Sequence, residues 1–162
     1  MQTIIRHRDE GRPTWFLNGL MTTKVTTEET AGAYCVMEHL LTAASNPPRH
    51  TQTSEEEAFY VLDGEIEFEV DGAVVTATPG TFAFVPRGAA HSFAVLTDTA
   101  RMLVISSSPD AAAPAGGLNH FFETVGEPAT APILPTPQAP DIETLGIAAA
   151  EHGIELLGPP RA

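Results

Sequence analysis

Residues 47–64 read PPRHTQTSEEEAFYVLDG, and the reading of this stretch decides the fold. Two prolines open it, His50, Gln52 and Glu57 follow, and an alternating run then ends in Asp63-Gly64. Asp-Gly between two alternating runs is the strongest short-range hairpin signal, and it recurs at Asp71-Gly72. Two-residue turns at both sites place Val61 opposite Ile66, Phe59 opposite Phe68 and Glu57 opposite Val70. Across the second turn, Val70 faces Ala73, Phe68 faces Val75 and Ile66 faces Ala77. One face then collects Glu57, Phe59, Val61, Ile66, Phe68, Val70, Ala73, Val75 and Ala77. The other collects Ala58, Tyr60, Leu62, Glu65, Glu67, Glu69, Val74, Thr76 and Thr78. A slip of one residue at either turn would scatter this sorting. Glu57 is the single charge on the apolar face, so it must be paired, metal-bound, protonated or at a wet rim.

Upstream, Thr14 to Thr30 is rich in β-favouring residues and ends in a polar turn. Ala33 to Thr42 reads as a strand with Cys35, Met37, His39 and Leu41 on one face. Downstream, Pro79-Gly80 and Pro86-Arg87-Gly88 bracket a strand at Thr81–Val85. Two further strands follow at His91–Leu96 and Arg101–Ser106. About eight short strands with closely spaced turn signals predict an all-β sandwich or small barrel. The chain divides into an N-terminal arm (1–13), the barrel (14–108) and a C-terminal extension (109–162). The extension contains a linker-like stretch at 108–117, a short helix at Gly117–Val125 and a proline-rich surface segment at Pro128–Pro140. A second helix at Asp141–His152 and an edge strand at Ile154–Leu157 complete it.

The formal net charge is −13 and the isoelectric point near 4.6, which argues against nucleic acid or anionic membrane as a partner. No apolar run reaches the roughly 20 residues of a membrane span. The opening residues MQTIIRHRDEG lack the apolar core of a signal peptide. Cys35 is the only cysteine, which excludes an intrachain disulfide and makes the cytoplasm the expected compartment. Its default role is that of a small buried hydrophobe.

Two spaced motifs remain: His50-x-Gln52-x4-Glu57-x6-Gly64 and Gly80-x5-Pro86-x-Gly88-x2-His91. Together they resemble the two signature motifs of the cupins, small jelly-roll β-barrels. The first motif there usually supplies His, His and Glu, the second one further His. The wording PPRH…EEEAFYVLDGE looks most like single-domain bacterial cupins related to quercetin 2,3-dioxygenase, and the ending LGIAAAEHGIELLGPP is similar to tails in that group. The resemblance implies a cupin-type barrel with short C-terminal helices. It implies His50, Glu57 and His91 as ligands of one divalent transition metal (Fe, Ni, Mn or Zn), with Glu57 and His91 as the catalytic pair. Gln52 stands where family members carry a histidine, so its amide oxygen is a weaker candidate ligand or a contact to substrate. Val95 stands where the second motif often has Asn.

The donor types support this independently, since two imidazoles and a carboxylate suit a non-haem transition-metal site. Met37, Phe59, Phe82, Phe84, Phe93 and Met102 are candidate pocket residues, with ordinary core packing as the alternative. Glu55 and Glu56 read as solvated loop charges. Glu65, Glu67 and Glu69 read as a solvated outer face, beside which Tyr60, Leu62 and Val74 are candidates for a dimer contact. The expected function is a metal-dependent dioxygenase-like enzyme that uses O2 on an aromatic, flavonoid or polyketide-like small molecule. The alternatives are a redox-neutral cyclase, dehydratase or isomerase, favoured by Gln52, and a non-catalytic binding barrel. The resemblance also implies a homodimer.

Overall fold

Alternation of inward and outward residues builds the central strands at 56–63, 66–70 and 100–107. The computed structural model describes residues 2–107 and 117–161. Its strands in chain order are β1 (Arg12–Phe16), β2 (Gly19–Val25), β3 (Cys35–Leu41), β4 (Pro48–Gln52), β5 (Glu56–Asp63) and β6 (Ile66–Val70). They continue with β7 (Ala73–Ala77), β8 (Phe82–Val85), β9 (His91–Val95), β10 (Ala100–Ser107), β11 (Glu127–Pro128) and β12 (Ile154–Pro160). Two short helices, α1 (Leu118–Val125) and α2 (Ile142–Glu151), follow the main block. The strands form two antiparallel sheets, ordered β11-β1-β2-β3-β10-β5-β8 and β12-β4-β9-β6-β7. This is the cupin-type jelly roll expected from the sequence.

The inward rows of both sheets make one core. Cys35, Met37 and Leu41 of β3, Phe59 and Val61 of β5, Ile66 and Phe68 of β6, and Met102 and Val104 of β10 are all buried. Full burial of each large side chain contributes on the order of 2–3 kcal/mol. Burial pushes the Cys35 thiol up to about 12, so it stays protonated and inert.

The second Asp-Gly hairpin forms as expected. β6 pairs with β7, setting Ile66 opposite Ala77, Phe68 opposite Val75 and Val70 opposite Ala73. Asp71 and Gly72 both have positive φ, +48° and +84°, as a two-residue turn of this kind requires. Val75 nevertheless is 59% exposed, because β7 is an edge strand reaching past the core.

The first Asp-Gly does not make a hairpin. β5 pairs with β10 and β8, whereas β6 pairs with β7 and β9, so the chain crosses between sheets at Gly64. Gly64 has φ +74°, and a Cβ there would lie 2.4 Å from the Thr99 carbonyl oxygen. The corner is packed too tightly for any other residue. The sorting of faces still holds: Phe59 and Phe68 meet across the barrel, ring centroids 5.2 Å apart, rather than side by side in one sheet.

The run from Thr14 to Thr30 is two strands and a short 3-10 turn. β1 and β2 join at Leu17 and Asn18, with φ of +43° and +59°. The Asn18 side chain accepts from the Gln138 amide (2.8 Å) and donates to the Gln138 carbonyl (3.1 Å), and Trp15 Nε1 donates to Ile133 O (2.8 Å). These bonds lay the proline-rich segment over the first sheet. Near the N-terminus, Arg6 pairs with Glu29 (2.7 Å), and Lys24 donates to the carbonyls of His7 (2.9 Å) and Glu10 (3.0 Å). The linker-like stretch at 108–116 lies outside the described residues.

Past the linker, Leu118, Phe121 and Phe122 of α1 and Leu145, Ala148 and Ala149 of α2 join the core. Asp141 caps α2, its carboxylate accepting from Thr144 N (3.1 Å). β12 then pairs with β4, Ile154 opposite Gln52 and Leu156 opposite His50.

Candidate metal centre and ligand pocket

β4 carries His50 and Gln52 two residues apart, so both face the interior. β9 lies beside it, His91 directly opposite His50, with ring centroids 4.3 Å apart. Glu57 comes from β5 in the other sheet. One ligand atom from each of His50, Glu57 and His91 lies within 4.8 Å of the others.

The imidazoles are oriented by backbone. His50 Nδ1 lies 2.8 Å from Pro48 O, and His91 Nδ1 lies 3.1 Å from Ala89 O. A carbonyl only accepts, so each ring carries its hydrogen on Nδ1 and turns the lone pair of Nε2 inward. Metal-ligating histidines are oriented this way. Glu57 Oε2 lies 2.9 Å from His91 Nε2, yet both atoms are buried without a well-directed hydrogen bond. Buried donor atoms converging on one space, unsatisfied by one another, are what a divalent cation completes. The residues fit a metal.

Charge coupling agrees with this geometry. Burial lowers the His91 pKa, but the Glu57 carboxylate outweighs that and holds it above the ordinary value. Burial raises Glu57, yet the two imidazoles and His39 hold it below the usual carboxylate range. His50 is lowered by burial and by the neighbouring His91.

The centre opens into a cleft whose empty space, mouth included, is about 650 Å³. Gln52, Phe59 and Phe93 line it, as expected of them. Met37 and Met102 do not: both are fully buried in the core between the sheets. Phe82 and Phe84 are on the outside, 62% and 53% exposed. Their register is the reason, because they stand opposite Tyr60 and Ala58, the outward row of β5. Two assignments of solvated glutamates also change. Glu55 is 5% exposed, accepts from Ser106 Oγ (2.6 Å) and is raised by burial. Glu67 and Glu69 both bind Arg161, and Glu69 also binds Arg49 (3.2 Å).

Part of the apolar lining comes from C-terminal elements that sequence patterns did not connect to the site. Phe121 and Phe122 of α1, Leu145 of α2, and Ile154 and Leu156 of β12 all face the cleft. The i, i+3, i+4 spacing of Leu118, Phe121 and Phe122 marks an apolar helix face, but not what it covers. His39 also lines the cleft, its ring edge against Phe122 with centroids 5.4 Å apart. Burial holds its pKa at about 4, so the ring is neutral at physiological pH.

Two antiparallel sheets with an inward His-Glu-His set agree with the resemblance that the two motifs carry. Residues 36–106 match the family model described as "Cupin domain". Quercetin 2,3-dioxygenase of Bacillus subtilis (strain 168) is 30% identical over 81 residues, 50% of this chain and 22% of that relative. The match therefore spans under a quarter of that enzyme's length. Three solved structures share the fold. A predicted oxalate decarboxylase from Thermotoga maritima has a TM-score of 0.57 at 18% identity, over 66% of this chain and 99% of that one. KdgF from Halomonas sp. gives 0.56 at 14%, over 68% and 96%. The polyketide cyclase RemF from Streptomyces resistomycificus gives 0.52 at 22%, over 68% and 82%.

Proposed function

We propose that this protein is a metal-dependent cupin oxygenase acting on a flat aromatic compound of the flavonol or polyketide type. The observation that carries the reading is the triad of His50, Glu57 and His91, both imidazoles holding Nε2 lone pairs inward, at the floor of an apolar cleft. His50, Glu57 and His91 would hold the metal, with Gln52 beside them as a neutral amide. When bound, the metal supplies Lewis-acid polarisation of a substrate hydroxyl and electronic access to O2. Glu57 Oε2 would accept the proton of that hydroxyl, 2.9 Å from His91 Nε2. Phe59, Phe93, Phe121 and Phe122 bind the ring system and keep bulk water from reactive species. The likeness to quercetin 2,3-dioxygenase over half of this chain supports the same chemistry.

The test is metal analysis of protein purified without added metal, followed by oxygen uptake with quercetin. Near-stoichiometric metal and chelator-sensitive uptake are expected. Substoichiometric metal with turnover untouched by chelator overturns the oxygenase reading.

A second reading rests on two observations: Gln52 in place of an imidazole, and the 2.9 Å approach of Glu57 to His91. The pair would then act as acid and base in a redox-neutral cyclisation, dehydration or isomerisation, with Gln52 binding a substrate oxygen. Turnover unchanged by removing O2 would favour it.

A further inference from the structure

His39 makes no hydrogen bond in the fold. It projects inward from β3, level with Met21 on one side and Met102 on the other. It is 5% exposed, and neither Nδ1 nor Nε2 has a hydrogen-bond partner. A buried polar group left unpaired costs about 1–3 kcal/mol, and a phenylalanine would fill the same space without that cost. The imidazole nevertheless lines the same cleft as the metal triad, positioned against Phe122. Along β10, Ser106 stands opposite Glu57 and Met102 opposite His39. Four residues of strand, about 13 Å of rise, thus separate the two backbone positions. The rest of the cleft lining is mostly apolar and includes five phenylalanines.

We infer that His39 is the second polar anchor of the ligand, binding a hydroxyl or carbonyl at the end of a flat, polyhydroxylated aromatic molecule remote from the triad. A neutral imidazole both donates and accepts, so it meets a phenolic hydroxyl from either side. The assignment rests on the function proposed above and refines it: the ligand has polar groups at two ends and fused or linked rings between them.

The probes are quercetin, hydroxylated at both ends, and 3-hydroxyflavone, which keeps only the hydroxyl and carbonyl suited to the triad. Binding of each to the metal-loaded protein is measured calorimetrically without O2, so that no turnover intervenes. The wild type should prefer quercetin by about tenfold, one good hydrogen bond. His39→Phe should abolish that preference, leave 3-hydroxyflavone affinity and metal content unchanged, and keep or raise Tm. His39→Gln, still able to hydrogen-bond, should restore part of the preference. A preference intact in both variants overturns the assignment alone, as does a fall of several degrees in Tm for both with preference intact. Failure of the wild type to bind either flavonol overturns the assignment together with the proposed function.

Discussion

Gln52 is the residue on which the chemistry turns. It occupies the inward position of β4 next to His50, and it is almost fully buried. Gln52→His should raise Zn(II) affinity at least about tenfold by calorimetry, since imidazole is the stronger ligand for such metals. An unchanged affinity would place the amide outside the ligand set. Glu57→Gln should cost at least as much by removing the one anionic ligand. The direction of the His91 shift adds a titration. Glu57 keeps a proton on metal-free His91 to higher pH than an ordinary imidazole. Metal must displace that proton, so loading in weak buffer should release it, and apparent affinity should climb as pH rises through the imidazole range. Glu57→Gln should shrink the release. A surface pair behaves oppositely. The Arg6 guanidinium holds Glu29 down to about 2. A depressed carboxylate contributes stability above its unfolded value of 4.5 and loses it as pH falls toward 2. The Tm gap between wild type and Glu29→Gln should therefore be present at pH 6 and vanish near pH 2. Of these residues, the triad was legible through the resemblance of the two motifs to those of the cupins. His39 was not, because a lone histidine on an apolar strand face has the pattern of a core residue until the opposite wall is known.

The crossover at Gly64 shows how far element-level reading goes. Alternation identified which residues of β5 and β6 face inward, since both sheets share one interior. Pairing was beyond it, because an Asp-Gly turn serves a hairpin and a sheet-to-sheet corner alike. The difference is tertiary: the Thr97–Thr99 loop presses on the turn, and Thr97 Oγ1 accepts from Glu65 N at 3.0 Å. Gly64→Ala would combine positive φ with a backbone clash and should cost more than about 2 kcal/mol in chemical denaturation. Gly72→Ala, with open space around its turn, should cost less. Phe82 and Phe84 teach a related point. Alternation sets them on one face, but only pairing with β5 says that the face looks outward.

Across the whole molecule, that outward face stands apart from the rest of an acidic surface. Tyr60, Phe82, Phe84 and Ile105 are all exposed on β5, β8 and β10, rimmed by Glu56 and by the Glu38–Arg101 pair. An apolar centre with a charged rim is the anatomy of a protein contact. With a net charge of −13, two copies would approach most favourably through this uncharged centre. Light scattering should therefore find a dimer, and Phe84→Glu should shift it to monomer without altering metal content, because the side chain lies on the far side of the sheet from the triad. Among the described residues no helix is long and apolar enough to cross a membrane.

The pairing of β12 with β4 has a consequence in time. Thr53 Oγ1 donates to Gly153 O, 100 residues away in the chain, and Arg161 clasps Glu67 and Glu69 from the same tail. During synthesis, His50 and Gln52 emerge long before the strand that flanks them, and before the helices that wall their pocket. A nascent chain at that stage has a bare sheet edge beside these candidate ligands, exposed to water and to wrong pairing. Contacts this remote also close slowly. The segment translated after β4 thus turns an open row of candidate ligands into a walled cleft.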